Sequence, residues 1–259
     1  MWEEPCITGK NGSGAVFFSG CNLGCVFCQN YQISHNGTGE EITDRKLADI
    51  FLMLKEKGAE NINLVNPVHF TPNIINALDI VKDKLGIPVI WNSGGYEKKG
   101  TIRLLSGYID IFLPDLKYIT PELSEKYSGA RDYFKAASAA IDEMFALAGY
   151  PVFDNEGKII KGVLVRHLIL PSHLRETKLI IDYLSNTYDK SRFWISLMSQ
   201  YVPFYKAFAY PEISRKLTTL ESQRAAEYAG EKGLIHGFCQ DISAAGDKYV
   251  PEFFNKLPF

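Results

Sequence analysis

Apolar residues are distributed along the chain in two rhythms. Short β-forming runs recur at Ala15–Ser19, Ile62–Val65, Val89–Trp91, Ile109–Leu113, Val163–Leu170 and Phe193–Met198. Between most of them the apolar positions return at helical spacing. Over Asp44–Lys57 that spacing puts Leu47, Ile50, Phe51 and Leu54 on one face, with Thr43-Asp44 as an N-cap region and Gly58 as a stop. Thr71-Pro72 opens a second helix that Gly86 ends. The succession strand, helix, strand predicts an α/β fold whose strands run parallel with right-handed crossovers. About six such units make an open or partial barrel.

Residues 131–148 are Ala-rich and helix-favouring, and Asp154-Asn155-Glu156-Gly157 reads as the turn of a hairpin-like insertion before a strand at Gly162. No repeat, low-complexity tract or long linker interrupts the pattern. Residues 1–259 therefore read as one domain, with a core over residues 12–240 and an extended tail over 241–259.

Composition narrows the function classes. Lys and Arg number 28 against 30 Asp and Glu, without a basic block, so a nucleic-acid partner held by charge is not expected. The apolar runs fall well below the roughly 18 residues that span a bilayer, and Met1-Trp2-Glu3-Glu4-Pro5 is unlike a leader. No membrane partner is expected, and the cytoplasm is the default location.

Candidate chemistry enters with the cysteines. Cys21, Cys25 and Cys28 lie in FFSGCNLGCVFCQN, just past the first β run, in a loop that also carries Gly20 and Gly24. Three thiols within eight positions fit a metal site better than a disulfide framework. Three sulfurs on a 4Fe-4S cluster leave one iron open to a small chelating molecule. Two other readings stay open at this point. One is zinc held by the three cysteines and a histidine such as His35. The other is an electron-transfer cluster completed by Cys6 or Cys239, the two cysteines left over.

The C-x3-C-x2-C spacing, with Phe27 before the last cysteine, resembles the signature of the radical S-adenosylmethionine superfamily. YIDIFLPDLKY, GVLVRHLILP and ISLMSQYVP resemble the uncharacterised iron-sulfur proteins related to pyruvate formate-lyase activating enzymes. The resemblance spans most of the chain from Pro5 to about Gln240. It implies a partial (β/α)6 barrel with a 4Fe-4S cluster and S-adenosylmethionine as cofactors. It also implies reductive cleavage to a 5'-deoxyadenosyl radical, with an external electron donor of the flavodoxin or ferredoxin type.

The resemblance further implies roles for particular residues. Phe27 and Gln29 belong to the cofactor's surroundings, Phe27 near the adenine. Asp115 and Lys117, at the end of the fourth strand, match an Asp-x-Lys element, and Lys117 can pair with the cofactor carboxylate. Ser93 ends the third strand in WNSGGY, and Gln200, past the sixth, is within reach of the ribose or adenine. Strand alternation sends Arg166 and His167 to opposite faces, and Arg166 is the one expected inside, facing either the cofactor carboxylate or a barrel Asp or Glu. Where activating enzymes carry Gly-Gly-Glu-Pro for the methionine amine, this chain has Val65-Asn66-Pro67-Val68-His69. Asn66 then supplies the polar contact and His69 an acid or base on the substrate side. Relatives often carry a further cysteine-bearing N-terminal stretch, so the chain reads as a short form. The activity expected is activation of a glycyl-radical enzyme. The alternatives are radical modification of a small molecule or peptide, and a non-enzymatic iron-sulfur or zinc module.

Overall fold

The computed structural model describes residues 4–239, so the expected tail over 241–259 lies outside the described residues. Helix α1 (Pro5–Thr8) precedes β1 (Gly14–Phe17). Next come α2 (Tyr31–Ser34), α3 (Asp44–Glu56), β2 (Ile62–Val65), α4 (Thr71–Leu85), β3 (Val89–Ser93), α5 (Lys99–Leu104), β4 (Ile111–Pro114), α6 (Pro121–Ser128) and α7 (Tyr133–Ala148). The hairpin of β5 (Val152–Phe153) and β6 (Ile159–Val163) is followed by β7 (Val165–Leu168), α8 (Leu174–Thr187), β8 (Ile195–Met198), α9 (Thr219–Glu231) and β9 (Gly237–Cys239).

The helix boundaries follow from capping chemistry. Thr43 Oγ1 accepts the Lys46 amide at the start of α3, Pro72 sits in the first turn of α4, and Gly86 ends α4 in the left-handed conformation. Thr218 and Glu221 form a reciprocal capping box on α9.

One sheet has the order β1-β2-β3-β4-β6-β5, and a second has β7-β8-β9. All pairings are parallel except β5 with β6. The strand expected over Val163–Leu170 is in fact two, β6 on β4 and β7 on β8, divided at Leu164. Gly162 accounts for the change of direction. At its φ of +120° a Cβ would fall 2.6 Å from Pro151 Cα, so only glycine lets the chain turn against the hairpin there. Asp115 and Arg166 carry the ladder across the seam as an isolated parallel bridge. β9 was not expected from the sequence, because three residues give no readable period.

Strand alternation divides the apolar residues into two cores. Leu64, Trp91, Phe112, Val163 and Leu197 face the helices, whereas Ile90, Ile111, Leu113 and Leu164 face inward with Cys6 and Ile7 of α1. The Ile7 carbonyl is held by Asn61 Nδ2 at 2.7 Å, which seats α1 as an apolar plug. Burying a side chain such as Ile7 contributes roughly 1.5–3 kcal/mol. Cys6 is part of this plug, and burial pushes its thiol up to about 12. Above it the inward positions turn polar, with Asn92 and Asp115 at the carboxyl ends of β3 and β4, the end where barrel sites lie, and Arg166 bridged to Asp115 from β7. No helix among the described residues is long and apolar enough to cross a membrane.

Candidate active site

The cysteine loop leaves β1 and is fastened by its own backbone. The Gly20 amide donates to the Ile33 carbonyl at 2.9 Å, and the Gly24 and Val26 amides donate to the Ser128 and Tyr127 carbonyls at 2.9 and 2.8 Å. Those carbonyls end α6, so the loop satisfies acceptors that a helix terminus leaves open. Asn66, left-handed at φ 59°, donates its side-chain amide to the Gly20 carbonyl. Expected to meet the cofactor, it braces the loop through this donor. A Cβ on Gly20 would lie 3.6 Å from His69 Cδ2, which places the exposed His69 against the same loop.

Cys25 is buried and Cys21 and Cys28 are half-buried. Cys25 Sγ lies 3.0 Å from Ser128 Oγ. Burial pushes the Cys25 thiol up, while the Lys117 charge and the Ser128 hydroxyl pull it back. Burial and the Cys25 charge push Cys28 up to about 12, against hydrogen bonds from Ser34 and the Asn30 amide. Zinc would gather its donors about 2.0–2.3 Å from one ion. Among the described residues no three such donors converge in that way, and His35, the suggested fourth ligand, stacks on Tyr205 with ring centroids 5.5 Å apart. A 4Fe-4S cluster instead spreads thiolates over separate irons, and three thiols on one braced loop suit it.

Beside the loop, the ends of β3 and β4 and the neighbouring β7 bring the predicted Asp115, Lys117 and Arg166 together with Asn92. Asp115 Oδ2 takes Lys117 Nζ at 2.5 Å, and Asp115 Oδ1 takes Arg166 Nη2 at 2.9 Å. Arg166 Nη2 also donates to Asn92 Oδ1 at 2.6 Å. The three charged residues are largely buried, with side-chain exposures of 12–15%. Burial alone would raise Asp115, but the Lys117 and Arg166 charges outweigh it and hold the carboxyl below its ordinary range. Burial likewise opposes the Lys117 charge, yet Asp115 and Cys25 hold its ammonium above its ordinary value. Two cations share one carboxylate, which leaves the cluster of charges favourable to a further anion.

The supporting residues are specific. Tyr133 Oη accepts the Lys117 amide at 2.9 Å and lies 2.7 Å from the Asp115 carbonyl. Gly94 lets the cysteine loop come close, since a Cβ there would fall 2.9 Å from Leu23 Cδ1 and 3.8 Å from Lys117 Cε. His167, on the opposite face from Arg166, is buried, with Nδ1 2.8 Å from the Leu116 carbonyl and Nε2 2.9 Å from Thr177 Oγ1.

Other expected contacts are redistributed. Ser93 shares the face of Trp91, and its hydroxyl serves the Gly95 amide and the buried Glu97 carboxyl rather than the interior. Phe27 packs edge-on against Tyr201 at 5.9 Å. Gln29 and Gln200 are half-buried. Sequence reasoning passed over Ser128, Tyr118 and Glu97, which reach the site only through the fold. It also passed over Asn63 and Ser196. Both are fully buried and inward-facing by register with Ile90 and Arg166. The Asn63 amide and the Ser196 hydroxyl have no hydrogen-bond partner. Such groups are costly unless a polar ligand or water meets them, so the interior suits a polar cofactor.

A family model described as the Radical SAM superfamily matches residues 15–157. An uncharacterized protein of Methanocaldococcus jannaschii is 33% identical over 234 residues, covering 86% of this chain. The chain spans 63% of that relative's length. Streptococcus suis SuiB, solved bound to S-adenosylmethionine, superposes with a TM-score of 0.57 at 16% identity over 84% of this chain and 47% of its own. The radical S-adenosylmethionine methyltransferase TsrM from Kitasatospora setae, solved with cobalamin and a 4Fe-4S cluster, gives 0.52 at 12% identity over 72% and 36%. At these identities the two structures bear on the fold.

Proposed function

The chain belongs to the radical SAM superfamily, and on that premise we propose that Cys21, Cys25 and Cys28 hold a 4Fe-4S cluster whose fourth iron is left to S-adenosylmethionine. Bound together, cluster and cofactor supply one electron to the sulfonium and, on carbon-sulfur cleavage, a 5'-deoxyadenosyl radical able to take a hydrogen atom from a substrate.

The chain's own residues bind and orient. Lys117 presents its ammonium to the carboxylate of the methionyl group, and Arg166, fixed by Asp115 and Asn92, adds a second positive charge behind it. Phe27, Gln29 and Gln200 line the remainder of the cofactor site. Ser93 is removed from that set, because its hydroxyl is engaged with Gly95 and Glu97. Asn66 spends its Nδ2 donor on Gly20, and its Oδ1 is the acceptor that the methionine amine requires. His69, exposed beside the loop, is placed to exchange a proton with a substrate at the mouth. An external donor of the flavodoxin or ferredoxin type delivers the electron.

The finer reading is activation of a glycyl-radical enzyme. The three segments quoted above support it through their resemblance to relatives of activating enzymes.

The observation that carries the proposal is the juxtaposition of the braced cysteine loop with Lys117, which meet at Gly94, where a Cβ would lie 2.9 Å from Leu23 Cδ1 and 3.8 Å from Lys117 Cε. The test is anaerobic reconstitution followed by dithionite and S-adenosylmethionine. Wild type should release 5'-deoxyadenosine and Cys28→Ala should not; equal release from both would refute the assignment. With a glycyl-radical enzyme added, an organic radical signal in that partner supports activation. Turnover only on peptides or small molecules would replace that reading with radical modification.

A further inference from the structure

Ser128 ends α6 and meets the cysteine loop twice. Its carbonyl accepts the Gly24 amide at 2.9 Å, and its hydroxyl lies 3.0 Å from Cys25 Sγ and 3.0 Å from Tyr118 Oη. Ser128 and Tyr118 are each 1% exposed, so water does not compete for these contacts. A serine hydroxyl has one proton to donate and lone pairs to accept with, and a phenol has one proton to donate. A thiolate can only accept. With Cys25 bound to iron, the direction of the chain is therefore settled: Tyr118 O–H donates to Ser128 Oγ, and Ser128 O–H donates to the sulfur.

We propose that Ser128, backed by Tyr118, is a positioning residue that raises the reduction potential of the cluster through its hydrogen bond to Cys25. This rests on the reading of Cys25 as an iron ligand. Reduction adds one electron to the cluster and part of its charge to the ligand sulfurs. A hydrogen bond aimed at a ligand sulfur stabilises the reduced form more than the oxidised one, which is how such bonds tune iron-sulfur centres. Burial strengthens the effect, and the Tyr118 donor polarises the Ser128 hydroxyl further. Nothing in the spacing of the cysteines reveals this partner, which comes from a helix about a hundred residues downstream and reaches the sulfur because the loop caps that helix.

The experiment compares wild type with Ser128→Ala, Ser128→Thr and Tyr118→Phe after anaerobic reconstitution. It measures iron and sulfide content, then follows the reduced cluster's paramagnetic signal across a potential titration. Ser128→Ala keeps the carbonyl that holds Gly24, so it should load about four irons and four sulfides. Its reduction equilibrium should fall roughly tenfold, about 59 mV for a one-electron couple. Tyr118→Phe should move the same way by less, and Ser128→Thr, which keeps the hydroxyl, should stay near wild type. A fully loaded Ser128→Ala with an unchanged or raised potential overturns the proposal. If Ser128→Ala does not load, Tyr118→Phe decides, and an unchanged potential there overturns it as well. A four-iron cluster that persists in Cys25→Ala would instead refute the ligand assignment, a separate failure.

Discussion

Asp115 and Arg166 meet twice. Their backbones form the parallel bridge that joins the two sheets, and their side chains form an ion pair with Nη2 2.9 Å from Oδ1. The seam of the fold and the charge of the candidate site are thus the same pair of residues. An anion bound by Lys117 and Arg166, as proposed, would meet side chains already held by the sheet.

Asp115→Asn leaves Lys117 and Arg166 largely buried without their shared carboxylate. Removing one partner of a buried pair costs about 3–5 kcal/mol, and chemical denaturation should show a loss of that order. A loss below about 1 kcal/mol would mean that the two cations relax to solvent. Arg166→Met added to Asp115→Asn should recover part of the stability.

His167 is neutral in the fold, with Nδ1–H donating to the Leu116 carbonyl and Nε2 accepting from Thr177. Burial holds its pKa down at about 4 against an ordinary 6.5. Between those values the unfolded chain binds the proton and the folded chain does not, so stability present above pH 6.5 is lost as pH falls toward 4. The full loss is about 3 kcal/mol. Denaturation midpoints followed from pH 7 to 4 should fall more steeply in wild type than in His167→Gln.

Glu97 runs the other way. It is fully buried against Trp91 Nε1 at 3.1 Å, and burial pushes its carboxyl up to about 7 despite hydrogen bonds from Ser93 and Trp91. From pH 4.5 to 7 the unfolded chain releases a proton that the folded chain keeps, so this residue's contribution declines as pH rises, by about 3 kcal/mol in full. Glu97→Gln should gain on wild type by that order across the same window. Parallel pH profiles of the two proteins would show that this carboxyl titrates alike in the folded and unfolded chains.

Two adjacent glycines should respond differently to alanine. At Gly95, with φ at +77°, a Cβ would fall 2.3 Å from the Asp115 carbonyl oxygen, a backbone atom that cannot step aside. Gly95→Ala should cost more than about 3 kcal/mol or prevent folding. At Gly94 the obstacle is the end of the Leu23 side chain, 2.9 Å away. Gly94→Ala should fold with a cost nearer 1 kcal/mol while displacing the cysteine loop. Thermal melts of both variants, with cluster content for Gly94→Ala, separate the two effects.

The sequence was most legible where local chemistry decides the structure. The Thr43 and Gly58 boundaries of α3, the Pro72 and Gly86 boundaries of α4 and the Asp154–Gly157 turn all follow from residues acting on their immediate neighbours. Alternation separated Arg166 from His167, but which anion Arg166 meets depends on the sheet bringing β4 beside β7, and the answer includes Asp115. Ser93 was misplaced because a strand end looks the same from either face, and Glu97, which draws it outward, lies four residues on in a loop without a period. Asn66 carries the chemistry of a ligand contact, and only its left-handed backbone turns that amide onto Gly20.

The Gly24 and Val26 amides close on the carbonyls that end α6, so the polypeptide itself fixes two points of the cysteine loop. If the loop holds the proposed cluster, loss of the metal to air should leave a mould behind. Repair then requires a source of iron and sulfide rather than a chaperone, and repeated loss and reloading should leave the rest of the molecule undisturbed.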